Sequence, residues 1–249
     1  MEKCRIEILN TFYDNHSMKE TIELVRNGIE NKKQIHHTVI NANKIVLLQK
    51  DNELRESVNS ADLINIDGKG VLWAAKILGK PVKERVTGID LMMECLKLCQ
   101  ENGYKAYFFG TKEETLLKLI DNITKDFGGN IIAGYRNGYY QPEEESIIVE
   151  EIRKAKPQIL FVAIPSPKKE NFLFRNKNEL KDVNFIMGVG GSFDVIAGKV
   201  RRAPSWMQKV GLEWFFRLIQ EPKKMWKRYL IGNLIFARIV IKHRFSAEN

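Results

Sequence analysis

Several polar residues follow apolar runs of the sequence, at points where a buried strand would end. Asn41 lies near the end of the run HHTVINA, and Asn43 directly follows that run. Asp67 and Gly68 follow the run ADLINI in the same way. In open α/β sheets, ligands bind outside the carboxyl ends of the strands, so these positions are candidates for a binding site. Asparagine could hydrogen-bond a nucleobase or a sugar there. The local alternative is that the asparagines form turns and the aspartate caps a helix.

The other strand-to-helix turns supply further candidates: Arg85, Thr87, Asp90, Gly110, Gly190 and Gly191. The turn at Gly110 could hold phosphate with its backbone amides. The run GVGGSF is not a G-x-G-x-x-G dinucleotide fingerprint, because Phe193 stands at the third glycine position. Thr87 and Asp90 could instead be helix caps, and Arg85 a surface charge.

The motifs that the sequence lacks narrow the chemistry. It contains no P-loop, no G-x-S-x-G, no H-E-x-x-H and no Asp-x-Asp pair. Paired carboxylates commonly hold the divalent cation of a nucleotide-sugar diphosphate. If the substrate carries a diphosphate, arginine, lysine or helix N-termini must supply the positive charge. We therefore expect neither a metal nor a cofactor.

The elements that position these residues alternate between strands and helices. Continuous apolar runs predict buried parallel strands at HHTVINA, ADLINID, KAYFFG, NIIAGY, QILFVAIP and NFIMGVG. Amphipathic segments between them predict helices at 17–30, 88–103, 112–129, 142–157 and 168–181, and Ser17 with Glu20 forms a capping box. This alternation predicts an α/β fold with a Rossmann-like parallel sheet flanked by helices.

The positive charge is concentrated near the end of the chain. Residues 199–249 hold 12 Lys or Arg against 3 Asp or Glu, whereas residues 1–198 hold 28 of each sign. Strand signals also stop near Lys199, so we predict an α/β domain at 1–198 and a basic, aromatic helical appendage at 199–249. Such a segment suits an anionic membrane surface or nucleic acid. The spacing of Trp206, Val210, Trp214 and Leu218 at intervals of four predicts one apolar helix stripe.

The compartment can also be inferred from the sequence. The N-terminus lacks the apolar core of a signal peptide, and YLIGNLIFARIVI is too short and too interrupted to span a bilayer. Three cysteines, Cys4, Cys95 and Cys99, fit a reducing cytosol, and the last two are predicted to be buried thiols. We therefore expect a cytoplasmic protein that lies on a membrane surface without crossing it.

Taken in order, several motifs resemble the WecG/TagA/CpsF glycosyltransferase family, and in particular its teichoic acid branch. They are TVINANKIV, INIDGKGV, ERVTGIDLM, YFFGTKEE, GYYQPEEE and GVGGSFDVIAGKVRRAPSWMQKVGLEWFFRLIQEP. Each motif alone is weak, but their ordered combination covers nearly the whole chain. The resemblance implies an inverting, metal-independent transferase at the inner face of the plasma membrane. It would move N-acetylmannosamine from UDP to position 4 of N-acetylglucosamine on undecaprenyl diphosphate.

The resemblance also implies roles for particular residues. Asp67 would be the general base, with Arg85 beside the reacting groups, and Thr38, Asn41 and Asn43 would line the donor pocket. Residues 1–198 would form the catalytic, nucleotide-sugar-binding domain, and the appendage would cover its site and engage the lipid-linked acceptor. Its basic residues at diphosphate-contacting positions are Arg217, Lys224, Lys227 and Arg228, and Trp206 and Trp214 would lie at the membrane. The other residues assigned to substrate binding are Gly68, Thr87, Asp90, Gly110, Lys169, Glu170, Gly190 and Gly191.

The chain departs from the family pattern at two places. The family commonly reads G-x-P-K-Q-E, whereas this chain reads SPKKE, with Lys169 in the glutamine position. A cation that only donates hydrogen bonds could suit a different UDP-hexose or a uronic acid donor. Lys224 and Lys227 stand where arginine would bind phosphate through two hydrogen bonds. A nucleic-acid-binding α/β protein stays the alternative from another class, and a homo-oligomer is left open.

Overall fold

The six apolar runs predicted as strands form one parallel sheet in the computed structural model, which describes residues 5–246. In chain order the strands are β1 Arg5–Ile8, β2 Thr11–Asp14, β3 Ile35–Ile40, β4 Leu63–Ile66, β5 Ala106–Gly110, β6 Ile132–Arg136, β7 Ile159–Ala163 and β8 Phe185–Gly188. The first two pair as an antiparallel hairpin, and the others form the sheet in the order β4-β3-β8-β7-β5-β6. The predicted strands and the Rossmann-like class are confirmed, whereas the hairpin was not predicted.

Helices cover both faces of the sheet. In chain order they are α1 Met18–Glu30, α2 Ala42–Leu48, α3 Asn52–Asn59, α4 Lys69–Ile77, α5 Gly88–Asn102, α6 Glu113–Phe127, α7 Glu145–Ala155, α8 Lys168–Arg175, α9 Ser192–Ile196, α10 Ser205–Val210, α11 Glu213–Gln220, α12 Pro222–Trp226 and α13 Gly232–Ser246. The capping box that starts α1 is confirmed, since Ser17 Oγ accepts from the Glu20 amide and Glu20 Oε2 accepts from the Ser17 amide. The short helices α2, α3 and α4 were not predicted.

The core consists of apolar layers on the two faces of the sheet. Helices α1, α5 and α6 pack on one face, where Cys95 and Cys99 are buried as predicted; Cys4 lies outside the described residues. Burial raises the pKa of the Cys99 thiol to about 12, so this thiol stays protonated. Helices α2 to α4 and α7 to α8 pack on the other face.

After residue 199 the short helices α10 to α12 are followed by the longer α13. The predicted stripe on a single helix is wrong, because Gly211 adopts the left-handed conformation (φ 83°) and ends α10 before α11 begins. Farther along, α13 packs against α2 and α4, and it buries Phe236 and Val240 in the apolar layer that they share. None of the helices in residues 5–246 combines the length and the apolar character that crossing a bilayer demands. The division of the chain at residue 198 stays a prediction.

Strand β3 carries two buried histidines whose titration should affect stability. Burial is the main cause that lowers the pKa of His36 to about 4 and that of His37 to about 3. The ordinary value is 6.5, so below that pH the unfolded chain binds protons that the folded protein does not. We expect the free energy of unfolding to fall between pH 8 and pH 5.5, by about 1.4 kcal/mol per histidine.

Denaturant unfolding at the two pH values measures this loss. His37→Asn should remove about half of it, since only His36 then titrates differently in the two states. A free energy of unfolding that does not change between pH 8 and pH 5.5 would contradict the prediction.

Candidate active site

The carboxyl ends of β3, β4 and β8 open into one cavity of about 1760 Å³. The register of the sheet explains why Asn41 and Asp67 lie close together. Ile40 pairs with Ile66, so the residues that follow them leave the sheet side by side. Of the residues predicted for the site, the cavity is lined by Asn41, Asn43, Asp67, Gly68, Arg85, Thr87, Lys169, Gly190, Gly191, Trp214, Arg217 and Arg228.

Asp67 is the carboxylate at the base of this cavity. Its amide donates to Ile40 O at 3.0 Å, and Gly68, not Asp67, is the N-cap residue of α4. The carboxylate accepts a hydrogen bond from the backbone of Gly88. Burial raises the pKa of Asp67, and the Arg85 guanidinium opposes that rise. Asp67 is thus not the N-cap of α4, the role that the sequence left open, and it lines a space that a substrate can fill.

Arg85 forms an ion pair that the sequence reasoning missed. Its guanidinium Nη1 donates to the carboxylate of Glu213, the first residue of α11. Glu213 lines the cavity and also contributes to the raised pKa of Asp67. The pair therefore connects the loop before α5 to the C-terminal segment directly beside Asp67.

Two predicted site residues both cap helices and line the cavity. Asn41 Oδ1 accepts from the Lys44 amide at 3.0 Å and starts α2, and Thr87 Oγ1 accepts from the Asp90 amide at 3.2 Å and starts α5. Asp90 itself lies outside the cavity lining, where it forms an ion pair with Arg202 at 2.7 Å. The capping alternative is correct for Asn41 and Thr87, and it does not remove them from the cavity wall.

Lys44, Lys169 and Glu170 form a buried charge cluster with Thr38 at another part of the cavity wall. Lys44 Nζ lies 2.9 Å from Glu170 Oε1 and donates to Thr38 Oγ1 at 3.0 Å. Lys169 Nζ lies 3.3 Å from the same carboxylate oxygen. All four side chains are buried, and the two lysines hold the pKa of Glu170 well below its usual range although burial opposes them. Two cations thus share one anion beside the cavity.

Several predicted residues lie outside the cavity lining, namely Thr38, Asp90, Gly110, Glu170, Trp206 and Lys227. Thr38 and Glu170 belong to the buried charge cluster. Gly110 has a φ of 137°, and a Cβ atom there would lie 2.5 Å from the Ala163 backbone, so close strand packing requires this glycine. Trp206 is 62% exposed, and the side chain of Lys224 lies outside the described part of the structure.

The C-terminal segment brings cations over the glycine turn that follows β8. A Cβ atom on Gly191 would lie 2.4 Å from Arg217 Nη2, so the bare backbone at this turn leaves room for the guanidinium. Arg228 lowers the pKa of Asp67, which places its charge close to that carboxylate. Arginine can hold phosphate oxygens through paired hydrogen bonds, so this part of the cavity suits a diphosphate.

A comparison with known families decides what kind of site this is. The model of the glycosyl transferase WecG/TagA/CpsF family matches residues 6–249. The chain belongs to this family. It is therefore a glycosyltransferase, and the nucleic-acid-binding alternative is set aside.

Similar proteins carry the name N-acetylglucosaminyldiphosphoundecaprenol N-acetyl-beta-D-mannosaminyltransferase. One from Bacillus spizizenii is 35% identical over 77% of this chain and 73% of its own. One from Bacillus subtilis strain 168 is 31% identical over 90% and 86%, respectively. One from Staphylococcus aureus strain MW2 is 31% identical over 93% and 88%.

Residues of this glycosyltransferase that the sequence reasoning did not single out include Lys44, Trp73 and Glu213, which all line the cavity. Glu213 could have been noticed as one of 3 acidic residues in the basic segment 199–249. Lys44 directly follows the predicted Asn43, but its burial depends on contact with Glu170 from a distant part of the sequence. Trp73 lies on α4, a helix that was not predicted.

Proposed function

We propose that this glycosyltransferase moves N-acetylmannosamine from UDP to position 4 of the N-acetylglucosamine on undecaprenyl diphosphate, a step in teichoic acid or surface polysaccharide synthesis. The names of the similar proteins support the sugar and the lipid-linked acceptor. The observation that carries the proposal is the position of Asp67, a carboxylate with a raised pKa at the base of a large cavity.

The proposed reaction is an inverting displacement. Asp67 takes the proton from the acceptor hydroxyl as that oxygen attacks the anomeric carbon, and UDP leaves from the opposite face of the sugar. One base is enough for such a step, since no covalent intermediate with the enzyme forms. Asn41, directly after β3, and Asn43, in the first turn of α2, have amide groups that can hydrogen-bond the donor.

Negative charge develops on the departing diphosphate of UDP, and we assign its stabilisation to Arg85, which lines the cavity. A fixed cation beside the developing negative charge lowers the free energy of the transition state without a metal ion. We assign Arg217 and Arg228 to the diphosphate of the acceptor. Arg217 and Arg228 both line the cavity, and Arg228 lowers the pKa of Asp67, so its positive charge lies close to that carboxylate. We assign Arg85 a second role, which is to keep Glu213 paired beside the base.

The acceptor lipid places the reaction at a membrane. We propose that residues 199–249 lie on the anionic inner face of the plasma membrane and close over the site. The excess of basic residues in this segment supports the first role. The exposed Trp206, 62% accessible, is an aromatic side chain of the type that lies at bilayer interfaces. The cavity residues Trp214, Arg217 and Arg228 support the second role.

A transfer assay tests the proposal. Purified protein, lipid-linked N-acetylglucosamine and a panel of UDP-sugars are combined with and without excess EDTA, and products are read by mass spectrometry. We expect the product of UDP-N-acetylmannosamine to form at the same rate in EDTA, because arginines supply the positive charge. No transfer from that donor would refute the proposed substrate. Activity lost in EDTA and restored by magnesium or manganese would refute metal independence.

A second prediction concerns Lys169, which stands where the family has glutamine. Its buried ammonium group lies beside the cavity and shares Glu170 with Lys44. We expect Lys169→Gln to change the relative kcat/KM among UDP-sugars more than it changes UDP affinity, because the wall loses a positive charge. Lys168→Gln is the matched control, since Lys168 also lines the cavity but lies 3.6 Å over the Tyr140 ring. An unchanged donor ranking in Lys169→Gln would show that the substitution is silent.

A further inference from the structure

The residues that line the cavity differ in chemistry from one end to the other. Polar and charged residues come from the strand ends and from the helices around Arg217. An apolar set comes from two other helices, and its members are Trp73, Ala74 and Ile77 on α4, with Phe236, Ala237, Val240 and Ile241 on α13. A donor nucleotide and a sugar need hydrogen-bonding groups, so the apolar set calls for a different ligand.

The apolar set forms a groove that begins beside Asp67. Helix α4 starts immediately after Asp67, and its cavity-lining residues Gly70, Ala74 and Ile77 recur every three or four positions, so they share one face. Gly70 to Ile77 spans about 10 Å of helix. Along this face the groove leads away from Asp67.

Helix α13 forms the other wall of the groove. A Cβ atom on Gly232 would lie 3.9 Å from Asn43 Oδ1, which places the start of α13 beside α2 in the polar part of the cavity. A Cβ atom on Gly70 would lie 3.7 Å from Phe236 Cε1, so the two helices meet one turn farther along. Beyond that point Val240 and Ile241 continue the lining. The two helices therefore leave the polar site side by side.

The groove contains large apolar side chains that the fold does not cover. Trp73 is 57% exposed, Ile77 54% and Ile241 57%, although each lines the cavity. Exposed apolar side chains that line one cavity mark a binding site for an apolar partner. Its inner end is continuous with the part of the cavity that holds Arg217 and Arg228, so a ligand with an anionic head and an apolar tail matches both parts.

We propose that the groove between α4 and α13 binds the first isoprene units of the acceptor's polyprenyl chain. This inference rests on the proposed function, since it assigns a place to the lipid part of the same acceptor. With the diphosphate on Arg217 and Arg228, the hydrocarbon chain leaves the site along Trp73 and Ile77. Binding the chain there would orient the acceptor sugar toward Asp67 and give the enzyme a preference for long tails.

Binding of farnesyl diphosphate and of inorganic pyrophosphate tests the groove without any transfer reaction. Titration calorimetry is performed on the full chain, on the variants Trp73→Ser and Ile77→Ser, and on the control Ile147→Ser. Ile147, on α7, is 54% exposed and does not line the cavity. We expect the wild type and the control to bind farnesyl diphosphate at least about tenfold more tightly than pyrophosphate, and the groove variants to lose most of that difference. Equal affinity for the two ligands in the wild type would overturn the proposal.

A kinetic comparison separates this inference from the proposed function. The ratio of kcat/KM for undecaprenyl-linked and short-alkyl-linked acceptors should fall toward one in the groove variants and stay high in Ile147→Ser. Wild-type transfer that does not depend on tail length refutes the groove but leaves the proposed function standing. Tight farnesyl binding without transfer to lipid-linked N-acetylglucosamine refutes the function instead. A dimer in sedimentation that Trp73→Ser dissociates, with lipid affinity unchanged, would assign the groove to a second copy and also overturn the proposal.

Discussion

Replacing Asp67 with asparagine should lower kcat by roughly 10²–10⁴-fold, because the amide keeps the shape of the side chain but cannot accept a proton. The affinity for UDP should change little. The raised pKa of Asp67 makes a further prediction, since the base must be ionised to act. The wild-type rate should therefore fall as the pH drops through that raised pKa, and the residual activity of the variant should lack this acidic limb.

Glu213→Gln is the control for this experiment, because Glu213 is the other carboxylate beside Asp67 and is paired with Arg85. If Asp67 is the base, Glu213→Gln should cost less activity and keep an acidic limb. Turnover near the wild-type level in Asp67→Asn with saturating substrates, measured by mass spectrometry of the product, would remove Asp67 from the reaction.

Replacing Glu170 with glutamine should destabilise the folded protein by about 3–5 kcal/mol. Glu170 is the anion that Lys44 approaches at 2.9 Å and Lys169 at 3.3 Å, and all three side chains are buried. Removing it leaves two buried cations without a counter-charge, and burial already lowers the pKa of Lys44. Denaturant unfolding at neutral pH measures the loss.

Two further variants show whether the charge is the cause. Lys169→Gln keeps the ion pair between Lys44 and Glu170, so it should cost far less than Glu170→Gln. Adding Lys44→Met to Glu170→Gln should recover part of the lost stability, because one unpaired cation is removed. A Glu170→Gln protein within about 1 kcal/mol of the wild type would show that the cluster does not stabilise the fold.

The strands of the sheet could be predicted because a parallel strand buried on both faces must be apolar along its length. The runs around Ile159–Ala163 and Phe185–Gly188 show this signal clearly. The N-terminal hairpin could not be predicted in the same way. Its strands have four residues each, and its turn uses Leu9 and Asn10 with positive φ instead of a glycine pair. Asp14, at its end, accepts from the Ile64 amide, a contact that only the folded chain provides.

The appendage shows where a periodic pattern failed. Four apolar residues at intervals of four predict a single stripe, but the left-handed Gly211 separates Val210 from Trp214 and places them on different helices. Glycine adopts that conformation at little steric cost, so Gly211 is a local signal for a helix end that the periodicity of the apolar residues does not contain. The packing of Phe236 and Val240 against α2 and α4 was not visible in the sequence at all.

The sequence by itself determined the strands of the sheet, the positive charge near the end of the chain and the residues at the strand ends. These features could be predicted because burial and turn chemistry act locally. It thereby pointed to Asn41 and Asp67 as candidates at the carboxyl ends of two strands, and the pairing of those strands in the structure makes them neighbours. Only the tertiary structure decided which charges meet there. Arg85 with Glu213 and Lys44 with Glu170 are pairs between distant segments, and their partners are set by the packing of whole helices. The same packing brings α13 beside α4 and leaves Trp73 exposed in the cavity, since the fate of an apolar side chain depends on what covers it.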